Sequence, residues 1–270
     1  MIKIGKKIIN QKLVPHLSKG ERGPKCKVGL WRIVRAIIYR LKTGVQWRQL
    51  PIKELFGRHI ISWNTVFYYF SKWSKDRSWY QLWTAYLKSI KSILDMSSVQ
   101  LDGSHTIVKN GGQSVGYQGR KKSKTTNMLF LTDKQGFPLA CSSPVSGNHN
   151  DLFEIEKTVS EILDTLKDAD IPTKGLFMNA DAGFDSQLLR EFCESKEIIA
   201  NFAINKRNSK DPDKNDYYLD SQLYKERFAV ERTNAWIDGF KNLIIRYETN
   251  AQHWLGLHYL VFSIMLLRKS

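Results

Sequence analysis

The apolar residues of the first ninety positions recur at helical spacing. Leu30, Ile33, Val34, Ile37, Ile38 and Leu41 fall on one stripe of residues 28–42, while Arg32, Arg35 and Arg40 lie off it. Gly44 follows the last basic turn, a common helix stop. Residues 45–61, with Pro51 and Gly57, read as an irregular connection. A second helix is expected from Ser62 or Asn64, presenting Val66, Phe67, Phe70 and Trp73, and a third carries Leu82, Trp83, Tyr86, Leu87 and Ile90. Past Ser97 the period changes from helical to alternating. Val99 and Leu101 alternate with polar neighbours up to Asp102, as in a strand. Residues 127–132 and 138–141 flank the turn Asp133-Lys-Gln-Gly136 and predict a hairpin. There follow an expected helix over 152–166, an apolar strand over 175–180, a helix over 186–196 capped by Asp185, and a buried strand over 198–204. A polar loop over 205–216 leads to two last helices, 221–241 and 252–268. The final helix is apolar nearly all round and is expected to pack on the sheet. Trp236 is expected in the core.

This order predicts a small all-helical domain, residues 1–95, followed by a mixed-sheet α/β domain, residues 96–270. Charge sharpens that division. The chain of 270 residues carries a net charge of +16, and the excess is local. Residues 1–100 hold 20 Lys/Arg against 4 Asp/Glu, whereas the remaining 170 hold 22 of each. A basic face concentrated in one region is the footprint of a polyanion partner. With six of the eight tryptophans in that region, the helices suggest a DNA-binding unit of helix-turn-helix type, the tryptophans serving as core. Lys72 and Lys75, near the end of the second helix, are candidate phosphate contacts. The cysteines Cys26, Cys141 and Cys193 are odd in number and far apart, which argues against a disulfide framework or a thiolate zinc site and fits a cytoplasmic setting. Neither a signal peptide nor a membrane span is indicated: the longest apolar run, Trp254 to Leu267, falls short of the roughly 20 residues a span needs.

Three acidic residues stand out by context. Asp102 ends a predicted strand and precedes Gly103, Ser104 and His105. Asp181 ends another, within NADAGFDS, and Glu231 lies on a predicted helix in YKERFAVERTNAW. Two strand-end aspartates and a helix glutamate can converge at the carboxyl edge of a sheet and hold two Mg²⁺ ions through hard oxygen donors. Spacing alone does not single them out among 26 acidic residues. A strand-end aspartate is ordinarily a turn or cap residue, and a helix glutamate beside Arg232 is ordinarily a solvated charge.

The flanking residues decide between these readings. RAIIYRLKTGVQWRQLP (35–51), WNTVFYYFSKWSKDRSWYQLW (63–83), LDGSH (101–105), YQGRKKSKTTN (117–127), DKQGFPL (133–139), SGNHND (146–151) and NADAGFDS (179–186) follow in order, ending in Tyr224, Arg227 and Glu231 at spacings of three and four. With these motifs the chain resembles DDE-type insertion-sequence transposases, in particular the insertion sequence 5 family, over nearly its whole length. The resemblance implies a ribonuclease H-like core in which Asp102, Asp181 and Glu231 bind Mg²⁺, with Mn²⁺ as a substitute. It also implies cleavage at the element's terminal inverted repeats followed by joining of the 3′-hydroxyl to target DNA. Tyr224, Arg227 and Glu231 match the first three members of the family's Tyr-Arg-Glu-Lys signature. The fourth position holds Asp238 in place of a basic residue, and Lys241, about one helical turn on, is the candidate substitute.

Arg120, Lys121, Lys122 and Lys124 form a basic cluster that could grip DNA phosphates. Arg227 and Arg232 flank Glu231, and Tyr224 could either pack or touch DNA. His105 and His149 are candidates for outer contacts around the metals, since Mg²⁺ itself prefers oxygen. A bacterial, nucleoid-associated protein acting on two DNA ends as a homodimer fits this reading. Its rivals are a metal-dependent nuclease that cuts without joining, a non-catalytic DNA-binding regulator derived from a transposase, and a helix-turn-helix repressor with a ligand-binding domain. No glycine-rich phosphate loop or other cofactor motif supports the last of these.

Overall fold

The computed structural model describes residues 4–20, 26–57, 61–205 and 217–267. Within them the chain forms two compact units. One comprises residues 1–86, 109–113 and 237–270; the other comprises 87–108 and 114–236. The division is therefore not the single cut at residue 95 that the linear pattern suggested, because the C-terminal segment joins the N-terminal helices. Most of the polar loop expected over 205–216 lies outside the described residues.

In the helical unit, α1 (Leu30–Thr43) buries Ile33, Val34, Ile37, Ile38 and Leu41 and ends at Gly44, whose φ of 69° is the left-handed turn that glycine takes without strain. α2 (Trp63–Lys75) and α3 (Ser78–Ile90) bury Trp73, Trp79 and Trp83 completely. They pack with the C-terminal helix of the same unit, Ala251–Leu266. Trp83 meets Phe262 at 5.3 Å and Tyr80 meets Tyr259 at 5.4 Å. The missing side chain of Gly256 admits Trp79 and Ser74, whose atoms would stand 2.8 and 2.9 Å from a β-carbon there. No helix of the described residues is long and apolar enough to cross a membrane.

The second unit is built on a mixed sheet. β1 (Val99–Val108) runs antiparallel to β3 (Ser123–Asp133), with Asp102 opposite Phe130 and His105 opposite Asn127. The other edge of β3 takes β2 (Gly116–Gln118), β5 (Val145–Ser146) and β4 (Pro138–Cys141) at successive points along its length. β6 (Phe177–Ala180) lies parallel to β1 and β7 (Ile199–Phe202) parallel to β6, giving the order β2-β3-β1-β6-β7. The turn between β3 and β4 is held by Asp133, whose Oδ1 accepts from the backbone N–H groups of Gln135 and Phe137. α4 (Ile155–Asp168) buries Ile155, Val159, Ile162 and Leu166 at helical spacing. α5 (Gln187–Ser195) is capped by Ser186, which accepts from Leu189 N–H at 3.2 Å. Asp185, expected as that cap, instead binds Arg190 through its Oδ1 at 2.7 and 2.9 Å, and its Oδ2 accepts from Asn205 N–H at 2.8 Å.

The expected helix 221–241 is broken. A turn at Ser221–Tyr224 and a tighter 3₁₀ turn at Lys225–Phe228 precede α6 (Ala229–Asp238). Trp236, expected in the core, is 37% exposed, its ring centre 5.7 Å from that of Phe137.

Candidate active site

Strand alternation puts Gln100, Asp102 and Ser104 on one face of β1 and Leu101, Gly103 and His105 on the other. Val99 pairs with Met178 and Gln100 with Asn179 in the parallel ladder to β6. Asp181 follows β6 by one residue, and its carboxylate acts on that of Asp102. The chain turns sharply there. Asp181 Oδ1 accepts from the N–H of Gly183 at 2.8 Å, and a β-carbon on Gly183 would stand 2.9 Å from that oxygen, so the motif needs glycine.

The electrostatics follow from this placement. Burial, the largest cause, pushes the Asp102 carboxyl up to about 6. The Gly103 N–H and Arg227 oppose the rise, while the carboxylates of Asp181 and Asp151 add to it. Two half-buried carboxyl groups that repel one another, ringed by oxygen donors and no thiolate, suit a hard divalent cation, whose charge would relieve the repulsion.

Glu231 stands in the first turn of α6 and is exposed. One turn on, Asn234 Nδ2 donates to Asp102 Oδ2 at 3.4 Å, so the helix reaches the aspartates through its amide. Among the described residues, no three of His, Cys, Asp and Glu converge closely enough to hold a metal ion. The Asp181 carboxylate thus acts electrostatically on Asp102, and the helix that carries Glu231 touches Asp102 through Asn234. Arg227 is folded against Tyr224 and Phe228, its guanidinium 5.7 and 5.0 Å from their rings, and its Nε is buried without a hydrogen-bond partner. Arg232 donates to the Gln135 carbonyl at 3.1 Å, which makes it part of the helix's seating on the β3–β4 turn.

Arg120, Lys122 and Lys124 are exposed. Lys124 sits six residues along β3 from the partner of Asp102, about 20 Å at strand rise, which takes it away from the aspartates. The Lys121 ammonium donates to the carbonyl of His105, three residues along β1 from Asp102. His105 is buried, with Nδ1 3.2 Å from Thr125 Oγ1 and Nε2 3.8 Å from Asp151; burial, the largest cause, lowers its pKa. His149 stacks on Phe153 at 3.6 Å. In the helical unit, Lys72 is committed to Asp76 at 3.0 Å, Lys75 is exposed, and Lys241 begins a short turn beside Gly44.

Sequence reasoning missed Asp151 and Asn234. Asp151 lies directly over Gly103: a β-carbon there would collide with its carboxylate, whose Oδ1 accepts from Asn127 Nδ2 at 2.6 Å. The available signals were a glycine inside a strand, which marks a close approach, and an amide one helical turn beyond the glutamate.

Comparison with known proteins bears on this arrangement. Residues 9–83 match the family described as a putative transposase of the IS4/5 family, and residues 87–266 match the transposase DDE domain. The chain is similar in fold to the piggyBac transposase in its synaptic complex with hairpin DNA, at 10% identity and a TM-score of 0.51, over 95% of this chain and 70% of that one. The catalytic domain of the Mos1 mariner transposase matches at 15% identity over 72% of this chain and 90% of that one, with a TM-score of 0.31. No curated protein matches the chain.

Proposed function

The chain belongs to the DDE-domain transposases, and from that premise we propose that Asp102, Asp181 and Glu231 hold the divalent metal ions of its strand-cutting and strand-joining reactions. The observation that supports this reading is the Asp102 carboxyl on β1, raised to about 6 by burial and by the neighbouring carboxylates of Asp181, just past the adjacent strand β6, and Asp151. Bound Mg²⁺ or Mn²⁺, in a pair, would supply Lewis acidity to the attacking and leaving oxygens of phosphoryl transfer. The chain's own residues do the rest. Asp102 yields its proton readily when positive charge arrives. Glu231, exposed one turn before Asn234, completes the ligand set by rotating its side chain toward Asp102. Arg227, electrostatically linked to Asp102, stabilises negative charge gathered on the phosphate.

In this reading the basic helical region binds the element's terminal inverted repeats, with Lys75 among the contacts, and Arg120, Lys122, Lys124 and Tyr224 steady the DNA flanking the site. Water cuts the element end to release a 3′-hydroxyl, which then attacks a target phosphodiester. Two ends imply a homodimer in the DNA complex.

The test is cleavage of a labelled end duplex with Mg²⁺, Mn²⁺ or EDTA, for the native chain and Asp181→Ala. Metal-dependent cuts are expected. Their rate should fall in the variant by more than the 10–100-fold that an outer-shell partner costs, with DNA binding retained. Products joined to target DNA separate a transposase from a nuclease that only cuts. Binding without cutting under any metal would overturn the reading in favour of a regulator.

A further inference from the structure

A row of buried amides lies beneath the segment that leads to Glu231. Gln100 on β1, Asn179 on β6 and Asn201 on β7 stand opposite one another in the parallel ladders. Their exposures are 0, 0 and 2%. A sheet interior would ordinarily place aliphatic side chains at these positions, and three amides there need their hydrogen bonds met. They are met in series. Asn201 Nδ2 donates to Asn179 Oδ1 at 2.7 Å, Asn179 Nδ2 to Gln100 Oε1 at 2.9 Å, and Gln100 Nε2 to Ser98 Oγ at 2.9 Å.

The hydrogen-bonding capacity left over goes to one stretch of chain. Asn201 accepts from Asp220 N–H at 2.9 Å and donates to its carbonyl at 3.1 Å. Asn179 donates to the Leu223 carbonyl at 3.0 Å. Ser98 Oγ donates to Glu226 Oε2 at 2.6 Å, and Lys134 pairs with Glu226 Oε1 at 3.0 Å. Asp220 is thereby fastened over β7, Leu223 over β6 and Glu226 over β1. Beyond these, Arg232 and Thr233 donate to the carbonyls of Gln135 and Gly136 at the β3–β4 turn. The segment crosses the sheet strand by strand, and the next group it presents is the first turn of α6.

We propose that the Gln100–Asn179–Asn201 row is a positioning device that fixes where the Glu231 helix stands relative to Asp102 and Asp181. The row touches neither aspartate and makes no contact with reacting atoms. It acts through the backbone of Asp220–Glu226, so its residues are positioning residues, and Asn179, donating to both the row and the segment, is its centre. This rests on the metal-holding role given above to the acidic residues. Apolar replacements would keep the sheet packed and release the segment, which separates the proposal from a role in folding alone.

The experiment uses the full chain with Asn179→Leu, and with Asn201→Ala as a milder second variant. Three readouts are taken: amide hydrogen exchange over 217–238, Mn²⁺ titration followed by electron paramagnetic resonance, and the rate of end cleavage at saturating DNA. For Asn179→Leu, exchange should rise at least about tenfold in that segment while β1 and β3 keep their protection. The Mn²⁺ half-saturation should rise on the order of tenfold. The cleavage rate should fall about a hundredfold, the cost of a misplacement near 1 Å, with the KM for end DNA unchanged. Asn201→Ala should move all three in the same direction and less far, and it decides the matter if Asn179→Leu does not fold. A folded variant with native exchange over 217–238 and a native Mn²⁺ titration overturns the proposal. If the native chain cuts no DNA, the catalytic reading fails on its own, and the exchange and Mn²⁺ measurements still judge the row.

Discussion

Gly103 shows how one residue can couple two acidic groups. The LDGSH motif was read as a strand end followed by a glycine, but β1 runs on through it to Val108, and the glycine's reason is Asp151, which occupies the space a side chain would fill. Asp151 in turn is held by Asn127 and lies near His105. Gly103→Ala must displace either β1 or that carboxylate, and β1 is anchored in its ladder with β3 from Val99 to Ile107. The side chain therefore moves and leaves its bond to Asn127. The expected result is a cleavage rate reduced about 10–100-fold, as for loss of an outer contact at a metal site, with end-DNA affinity unchanged; native cleavage in the variant would show that Asp151 has no bearing on Asp102. The aspartates themselves were singled out as candidates through motif context. The residues that support them were not, because Asp151 and Asn234 owe their places to pairings remote in sequence.

At the scale of elements, the apolar periods predicted the long helices and the main strands, while the short elements β2, β5 and Ile52–Phe56 left no such period, and the misassignments have physical causes. The segment after Asp220 was read as one helix because its apolar spacing is helical throughout. Its backbone is instead drawn across the sheet by Asn201, Asn179 and Ser98, which a one-dimensional pattern does not contain. The C-terminal helix was recognised, but not its neighbours, since a helix apolar on all sides carries no mark of which surface covers it. That helix buries His258, whose Nδ1 lies 2.9 Å from the Trp254 carbonyl. Its pKa is lowered to about 4, chiefly by burial, with Arg246 acting in the same sense and the Trp254 carbonyl opposing. Above the unfolded value of 6.5 both states hold the ring neutral and it contributes no pH dependence. As pH falls from 6.5 toward about 4, the unfolded chain takes a proton that the folded one refuses. Stability should drop there by up to about 1.4 kcal/mol per pH unit from this ring, with His105 and His253 acting in the same sense. Urea unfolding at pH 7 and pH 5 should show the loss, and His258→Leu should shrink it; an unchanged pH dependence would place the titration elsewhere.

For the whole molecule, the uneven charge and the change of period near residue 97 gave the right sense of two parts, a basic helical one and an α/β one with a ribonuclease H-like fold. The boundary between them is not a point on the chain. Trp73, Trp79 and Trp83 are fully buried, and the helix Ala251–Leu266 covers their neighbourhood through Gly256, Tyr259 and Phe262. A fragment ending at residue 95 would expose those rings, each worth about 3–5 kcal/mol on truncation. It is expected to show no cooperative thermal transition by circular dichroism, whereas the full chain melts cooperatively; a sharp melt of the fragment would restore the linear boundary. Sequence alone determined the fold class, the order of the main elements and the basic region, and it singled out three acidic residues as candidates, because each is written in local period, local charge or short contiguous motifs. The tertiary structure decided which helix closes the N-terminal core, that Asp102 feels the carboxylates of Asp181 and Asp151, and which buried amides fasten the segment before Glu231. Those depend on strand register and on packing between residues that lie tens to well over a hundred positions apart, and no local pattern encodes such distances.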